Sequence, residues 1–524
     1  LVGRHPRRLR ALEGFEKRRN GQLGPSHPPS RKLRPRAGRT LLGGEGLLER
    51  PCLRRFRAWV LAVLLGELLA PSTSIEAAEP LPVGRIVERV VCQSDPTQSY
   101  ALFVPSGWNP GRKWPILFAF DPGGRGPLAA ERLREAAERH GWIVLSSNGV
   151  RSGAPWETMS RAVRALSPEP SLRGLEPDLD RIYLAGFSAG AMLSLLVALG
   201  DPRVAGVIAS GGRLPDEIPR PNRVGFAWYG AAGDSDFNWS RMRDIDGLFE
   251  SIGATKRFVT FEGGHRWLPK ELVEDAVVWM EVVAMREGRA PCDEPFVERS
   301  LRRELDLLDA LEAEGRDLEA LRRAESASGA YEGLVPVGGL PLRIAALRGS
   351  GRAARALEEE KDAGEFEKQE ERRFLRTLST LVGGEEPMPA SRVLSELGVD
   401  RLADEAKKPT WRGATARRLL ERIGNHLSFV IPGEMATAKR YSIAVTALEA
   451  ASKLTPDNAV IWYDLACMRA RDGRESKALD ALERAVELGF HESSLLASDP
   501  DLESLRGEER YRRLAERVAK PSAP

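Results

Sequence analysis

One short segment restricts what this chain can fold into more than any other: Arg181-Ile-Tyr-Leu-Ala-Gly186-Phe187-Ser188-Ala189-Gly190-Ala-Met-Leu. An apolar run that reads as a strand passes into an apolar run that reads as a helix, and the turn between them holds Gly-x-Ser-x-Gly. Such a turn is tight enough to strain its central serine, and a glycine on each side lets strand and helix approach one another. The serine hydroxyl then stands at a helix N-terminus, where free N–H groups and the helix dipole favour developing negative charge. Ser188 is therefore a candidate nucleophile, and the strand before it belongs inside a sheet covered by helices.

The residues around this segment agree. Strand-like apolar runs occur at 99–104, 115–120, 142–147, 181–187, 204–210, 224–229 and 256–261, and helical patterns occupy 127–140, 188–199, 239–251 and 268–286. Alternation of this kind predicts a mostly parallel sheet with helices on both faces. The runs Ile116-Leu-Phe-Ala-Phe and Ile182-Tyr-Leu-Ala-Gly lack polar alternation, as strands buried on both sides do. The expected domain spans residues 80–290.

A serine needs a base to attack at neutral pH. The chain has six histidines. Of the two in this region, His140 precedes Gly141 at a helix end and reads as a charge that stabilises the C-terminus. His265 lies in Phe261-Glu-Gly-Gly-His-Arg-Trp, between the last strand and the last helix. Loops at the C-terminal ends of strands are where open α/β sheets bind ligands. His265 is thus the candidate base. The acid that would hold its tautomer should follow a strand and precede it. Asp236 is the first choice, because Gly233-x-x-Asp236 lets the chain turn once after the strand; Asp234 is the alternative, with an Asx turn as its structural role. The Ala189 N–H is placed as one donor to an oxyanion, and the loop Phe120-Asp-Pro-Gly-Gly-Arg-Gly126 should supply another from Gly124 or Arg125. Neither metal nor cofactor is expected, and the four cysteines are too scattered for a metal site or a disulfide framework. Cys92 and Cys292 flank the region and could pair only if the fold brings them together.

With these residues in place, 86–286 resembles the esterases grouped with poly(3-hydroxybutyrate) depolymerases, feruloyl esterases and the phospholipase/carboxylesterase set. Asp178-x-Asp180-Arg-Ile-Tyr183-x-x-Gly186-Phe-Ser-Ala-Gly190 is similar to their nucleophile segment, and Asp236-Phe-Asn238 and Gly263-Gly-His265-x-Trp267 to their acid and histidine segments. The oxyanion loop departs: Asp121-Pro-Gly-Gly124 stands where a His-Gly start is usual. The resemblance implies an α/β-hydrolase fold and hydrolysis of a small carboxylic ester. A peptidase of the prolyl-oligopeptidase sort, or a binding module without catalysis, are the other readings.

The remaining segments bear on context. Residues 1–57 carry sixteen Lys/Arg against four Asp/Glu, whereas the rest carries 62 against 71. An acidic body argues against nucleic acid as partner. Residues 1–49 read as a disordered basic segment. Residues 50–78 read as a secretory signal, with arginines before a short apolar run and small residues after it; this predicts export and only transient membrane contact. Beyond Pro291-Cys-Asp-Glu-Pro295 the pattern is helical: 296–430 has no nameable chemistry, and 431–520 reads as repeats. Trp462, Leu465, Ala466, Ala478, Leu482 and Ala485 fall on the packing positions of a tetratricopeptide repeat, and Ala444, Leu448, Ala451 and Pro456 on those one 34-residue period earlier. The resemblance implies an all-α domain that presents a surface to a protein partner. Nothing in the Ser-His-Asp set calls for it, so 80–290 is expected to hold the chemistry alone.

Overall fold

The computed structural model describes residues 82–215, 218–384 and 386–519. The expected basic segment and signal lie outside them. Eight strands form one sheet in the order β1-β2-β4-β3-β5-β6-β7-β8. They are β1 (Ile86–Val91), β2 (Ser99–Phe103), β3 (Trp114–Phe120), β4 (Ile143–Ser147), β5 (Pro177–Phe187), β6 (Val204–Ser210), β7 (Ala227–Gly233) and β8 (Lys256–Phe261). β2 runs antiparallel to both β1 and β4, and β3 to β8 are parallel throughout. Every residue of β3, β6 and β7 is buried, which is why these strands read as continuous apolar runs.

Two cores cover the two faces. On one, Ile116, Phe118, Leu184, Val207 and Trp228 pack under the helices Trp156–Leu166, Ala189–Gly200 and Trp239–Ser251. On the other, Leu117, Tyr183, Ile208 and Tyr229 meet Gly126–His140 and Lys270–Arg286. This second core does not stop at residue 290. Val297, Leu301, Leu308, Ala320, Ala324, Tyr331, Leu340 and Leu347 belong to it. They lie on the helices Glu294–Ala313, Asp317–Tyr331 and Leu340–Arg348, so about fifty residues beyond the compositional boundary complete the sheet's cover. The helical run that follows Pro295 is broken at Gly315, whose φ of 74° only glycine adopts at low cost.

A third core is helical and begins with Phe366 on the long helix Gly351–Gly383. Its last part stacks the helices Tyr441–Leu454, Ala459–Arg471 and Glu475–Glu487. Of the positions picked out by their spacing, Ala444, Leu448, Ala451, Leu465, Ala466, Ala478, Leu482 and Ala485 are buried there, and Cys467 with them, whereas Trp462 is half-buried and Pro456 exposed. Cys92 is buried and Cys292 exposed, and neither is in a disulfide. Burial pushes the Cys92 thiol up to about 12. His140 ends its helix as expected, but its Nε2 also meets Glu274 Oε1 at 2.9 Å on the neighbouring helix.

A buried ionic group ties the added helices to the sheet. Arg257 of β8 meets Glu304 at 2.6 Å, Arg323 meets Asp275 at 2.6 Å and Glu304 at 2.8 Å, and the Tyr229 hydroxyl donates to Asp275 at 2.7 Å. Burial raises the Asp275 carboxyl, but Arg323 and Arg257 outweigh it and hold the group at about 2. Removing one member leaves the others charged and buried, at a cost of about 3–5 kcal/mol. Asp275→Asn is therefore expected to lower the unfolding free energy by that amount at pH 7 in urea titrations. Because the folded pKa is depressed, part of this contribution is lost as pH falls from about 4 toward about 2, and the gap between wild type and variant should narrow over that interval.

Candidate active site

Ser188 sits between β5 and the helix Ala189–Gly200, with φ 54° and ψ −117°. A non-glycine residue holds such angles only when its surroundings force them, at about 1–3 kcal/mol. The forcing is visible at both glycines. A Cβ on Gly186 would lie 2.2 Å from the Gly190 carbonyl carbon, and one on Gly190 would lie 1.9 Å from the Phe120 oxygen of β3. Strand, turn and helix touch backbone to backbone, so the serine has no room to relax.

The acid and the base arrive on adjacent loops. β7 ends at Gly233, and Asp236 follows in a turn closed by the Asp236 N–H to the Gly233 carbonyl at 3.1 Å. β8 ends at Phe261, and the glycines 263 and 264 carry the chain to His265. His265 Nε2 lies 2.9 Å from Ser188 Oγ, and its Nδ1 lies 2.9 Å from Asp236 Oδ1. Asp236 is fully buried; its Oδ1 also accepts from the Asn238 amide at 2.8 Å. The imidazole is flanked by Phe187 and Phe237, with ring centroids 4.6 and 4.2 Å away. Gly211 gives this pair its space: with φ 55°, a Cβ there would fall 2.5 Å from Asp236 Oδ2 and 3.1 Å from His265 Nδ1.

Asp234, the alternative acid, is used otherwise. Its Oδ1 accepts from the Gly263 amide at 3.0 Å and from the Ser235 hydroxyl at 2.9 Å, stapling the acid loop to the histidine loop. In the loop after β3, the Gly124 amide donates to the Asp121 carbonyl at 3.0 Å, and the Gly123 amide to the Asp121 carboxylate at 2.8 Å. The N–H of Gly124, an expected oxyanion donor, is engaged inside the turn. The Arg125 amide is not committed within the loop, and it stands at the N-cap of the helix Gly126–His140. Its side chain folds back to pair with Asp121 at 2.8 Å. Asp121 also accepts from the Trp267 indole at 2.8 Å, so the carboxylate in the place of the usual histidine joins the oxyanion loop to the histidine segment. Burial works against its charge, yet Arg125, Trp267 and Gly123 together hold the Asp121 carboxyl below its ordinary range.

One contact had no counterpart in the sequence reading. The helix Trp411–Asn425 lies against both loops, with Glu421, Arg418 and Arg422 hydrogen-bonded to their backbone. No local signal marks these residues, because their partners lie more than 150 positions away.

This strand order, with the second strand reversed and the serine on the turn after β5, is the α/β-hydrolase fold. No protein-family model and no curated protein matches the chain. Among solved structures it is similar to a ferulic acid esterase, at 16% identity over 37% of this chain and 97% of the other, with a TM-score of 0.32. It is also similar to a hyperthermophilic esterase from the archeon Pyrobaculum calidifontis (13%, 44% and 91%, TM-score 0.33) and to an S-formylglutathione hydrolase from Staphylococcus aureus (14%, 38% and 98%, TM-score 0.31).

The turn supplies a stability test that needs no substrate. Gly190→Ala should lower the unfolding free energy by more than about 3 kcal/mol, beyond ordinary overpacking, because the clash is with backbone. Gly247→Ala, in a helix where a Cβ meets nothing within 4 Å, should be neutral or slightly stabilising in the same denaturant titration.

Proposed function

We propose that the chain is a serine hydrolase that cleaves small carboxylic esters through an acyl-enzyme on Ser188. The observation that carries this is the Ser188–His265–Asp236 chain of contacts at 2.9 Å each, on a serine held in a strained turn at a helix N-terminus. In the reaction, His265 Nε2 takes the Ser188 proton as Oγ attacks the ester carbonyl. Negative charge collects on the carbonyl oxygen, where the Ala189 and Arg125 amides would receive it. Asp236, buried against Nδ1, stabilises the imidazolium. The imidazolium then protonates the leaving alcohol as the C–O bond breaks. A water molecule, deprotonated by the same imidazole, next attacks the acyl-enzyme and releases the acid and Ser188. No step requires a cofactor.

The helices from Tyr441 to Glu487 carry buried small and large residues at repeat spacing, which supports a tetratricopeptide-like array open to a protein partner. Export remains the reading of the N-terminal sequence. The peptidase alternative shares the same fold and constellation, and a panel of ester and peptide substrates separates the two.

Ser188→Ala should abolish turnover of short p-nitrophenyl esters and labelling by a fluorophosphonate, with unchanged circular dichroism. Loss of the nucleophile costs on the order of 10⁶ in kcat; wild-type turnover by pure variant would overturn the assignment. Asp236→Asn should lower kcat by about 10⁴ by favouring the wrong imidazole tautomer. Asp234→Asn should fall well short of that, since the Asp234 carboxylate accepts from the Gly263 amide and the Ser235 hydroxyl; a reversed ranking in steady-state kinetics would move the acid to Asp234.

A further inference from the structure

We infer that the helix Trp411–Asn425 is part of the catalytic centre, with Glu421 acting as the positioning residue for His265 and Arg418 and Arg422 for the acid loop. This rests on the serine-hydrolase reading and deepens it. Three side chains at i, i+3 and i+4 share one face of a helix. Here each is hydrogen-bonded to the main chain of a loop that carries a member of the Ser-His-Asp set. Glu421 Oε1 accepts from the His265 amide at 2.9 Å. Arg418 Nη1 donates to the Asp234 carbonyl at 3.1 Å, and Arg422 Nη2 to the Phe237 carbonyl at 2.9 Å. The two arginines thus grip the acid loop on either side of Asp236.

The contacts are close and braced from behind. A Cβ on Gly264 would stand 2.5 Å from Glu421 Oε1, so carboxylate and loop backbone are in direct contact. The Arg418 guanidinium lies 4.3 Å from the Trp239 ring centroid and donates to Thr415 at 2.6 Å. Arg422 pairs with Glu367 at 3.2 Å, and Glu367 also accepts from the Ser240 hydroxyl at 2.8 Å. Glu367 lies on the helix Gly351–Gly383, so the brace runs into the helical core. Burial, with the Asp236 carboxylate adding to it, raises the Glu421 carboxyl, and the His265 amide opposes them.

The loop needs such a hold. Between β8 and the helix Lys270–Arg286, His265 follows two glycines, which give the backbone wide freedom. Tethers on the sheet side include the Gly263 amide to Asp234, the Gly263 carbonyl to the Ser235 amide, the Arg266 carbonyl to Ser210, the Trp267 indole to Asp121 and the imidazole to Asp236. Glu421 is what holds the backbone of the histidine itself. A displacement of about 1 Å at a reacting group can cost about 10²-fold in rate, so a lost backbone anchor acts on kcat while leaving the substrate contacts in place. The expectation that residues 80–290 suffice is revised accordingly.

The test uses the full chain. Glu421→Ala should lower kcat on p-nitrophenyl esters by about 10- to 100-fold, with KM within about twofold. Glu421→Gln keeps the acceptor oxygen and should restore kcat to within about threefold of wild type, since the proposed role is acceptance of the His265 N–H. Hydrogen–deuterium exchange of Glu421→Ala should quicken in peptides covering 261–267 and 234–238, while β3, β5 and β6 stay protected. If Glu421→Ala fails to fold, Glu421→Asp, which withdraws the carboxylate by one methylene, carries the same expectations. Wild-type kcat in the alanine variant, a deficit that glutamine does not relieve, or unchanged loop exchange overturns the inference. A wild-type protein that neither labels with fluorophosphonate nor turns over any ester overturns the hydrolase reading instead, and the exchange measurement still decides whether Glu421 holds the loop.

Discussion

The structure hangs on a backbone contact: Gly190 at the start of one helix pressed against the Phe120 carbonyl of β3, with no side chain between them. That contact sets how closely helix and sheet approach. It fixes Ser188 at φ 54° and aims its hydroxyl above the C-terminal edge of the parallel strands. The acid and base loops then need only leave the ends of β7 and β8, the next strands but one and two along the sheet, to reach it. The strain at the serine, about 1–3 kcal/mol, is offset by the two cores that clamp the sheet from either side.

Much of this was legible in the sequence because the signals are local. Strands buried on both faces read as apolar runs, and the expected bounds of β6 and β8 and of the helix Trp239–Ser251 agree with the structure. β7 occupies Ala227–Gly233, later than the apolar run at 224–229 that predicts it. Its second half, Gly-Ala-Ala-Gly, has no β-branched or large side chain, so it looks like a loop; tertiary cover makes it a strand. His265 and Asp236 could be named because order along the chain and position after a strand restrict them. Which of Asp236 and Asp234 contacts His265, and which amides of the loop after β3 are engaged, depends on the hydrogen bonds the turns use internally, and spacing does not encode that.

What spacing could not reveal at all was the junction between the two halves. The Pro-Cys-Asp-Glu-Pro segment marks a change of composition, yet the sheet's core continues through it to Leu347. The ionic group of Arg257, Asp275, Glu304 and Arg323 joins three helices to β8, and through the Tyr229 hydroxyl to β7, pairing residues up to 48 positions apart around one buried site. The arrangement makes the helices after residue 290 part of the body built on the sheet, and through the helix Trp411–Asn425 it brings the second half to the edge of the candidate site.

The late helices have a consequence for how such a chain is made. The face of the sheet around Tyr229, with Trp279 of the helix packed on it, is covered in part by Val297, Leu308, Ala324 and Tyr331. A ribosome delivers those residues only after every strand has emerged. During synthesis the nascent sheet therefore holds an uncovered apolar face, and Arg257 and Asp275 lack Glu304 and Arg323, until the next two helices arrive. Exposed apolar surface of this kind invites association with other chains, so the interval between the last strand and Tyr331 is when the newborn protein most needs shielding by a chaperone.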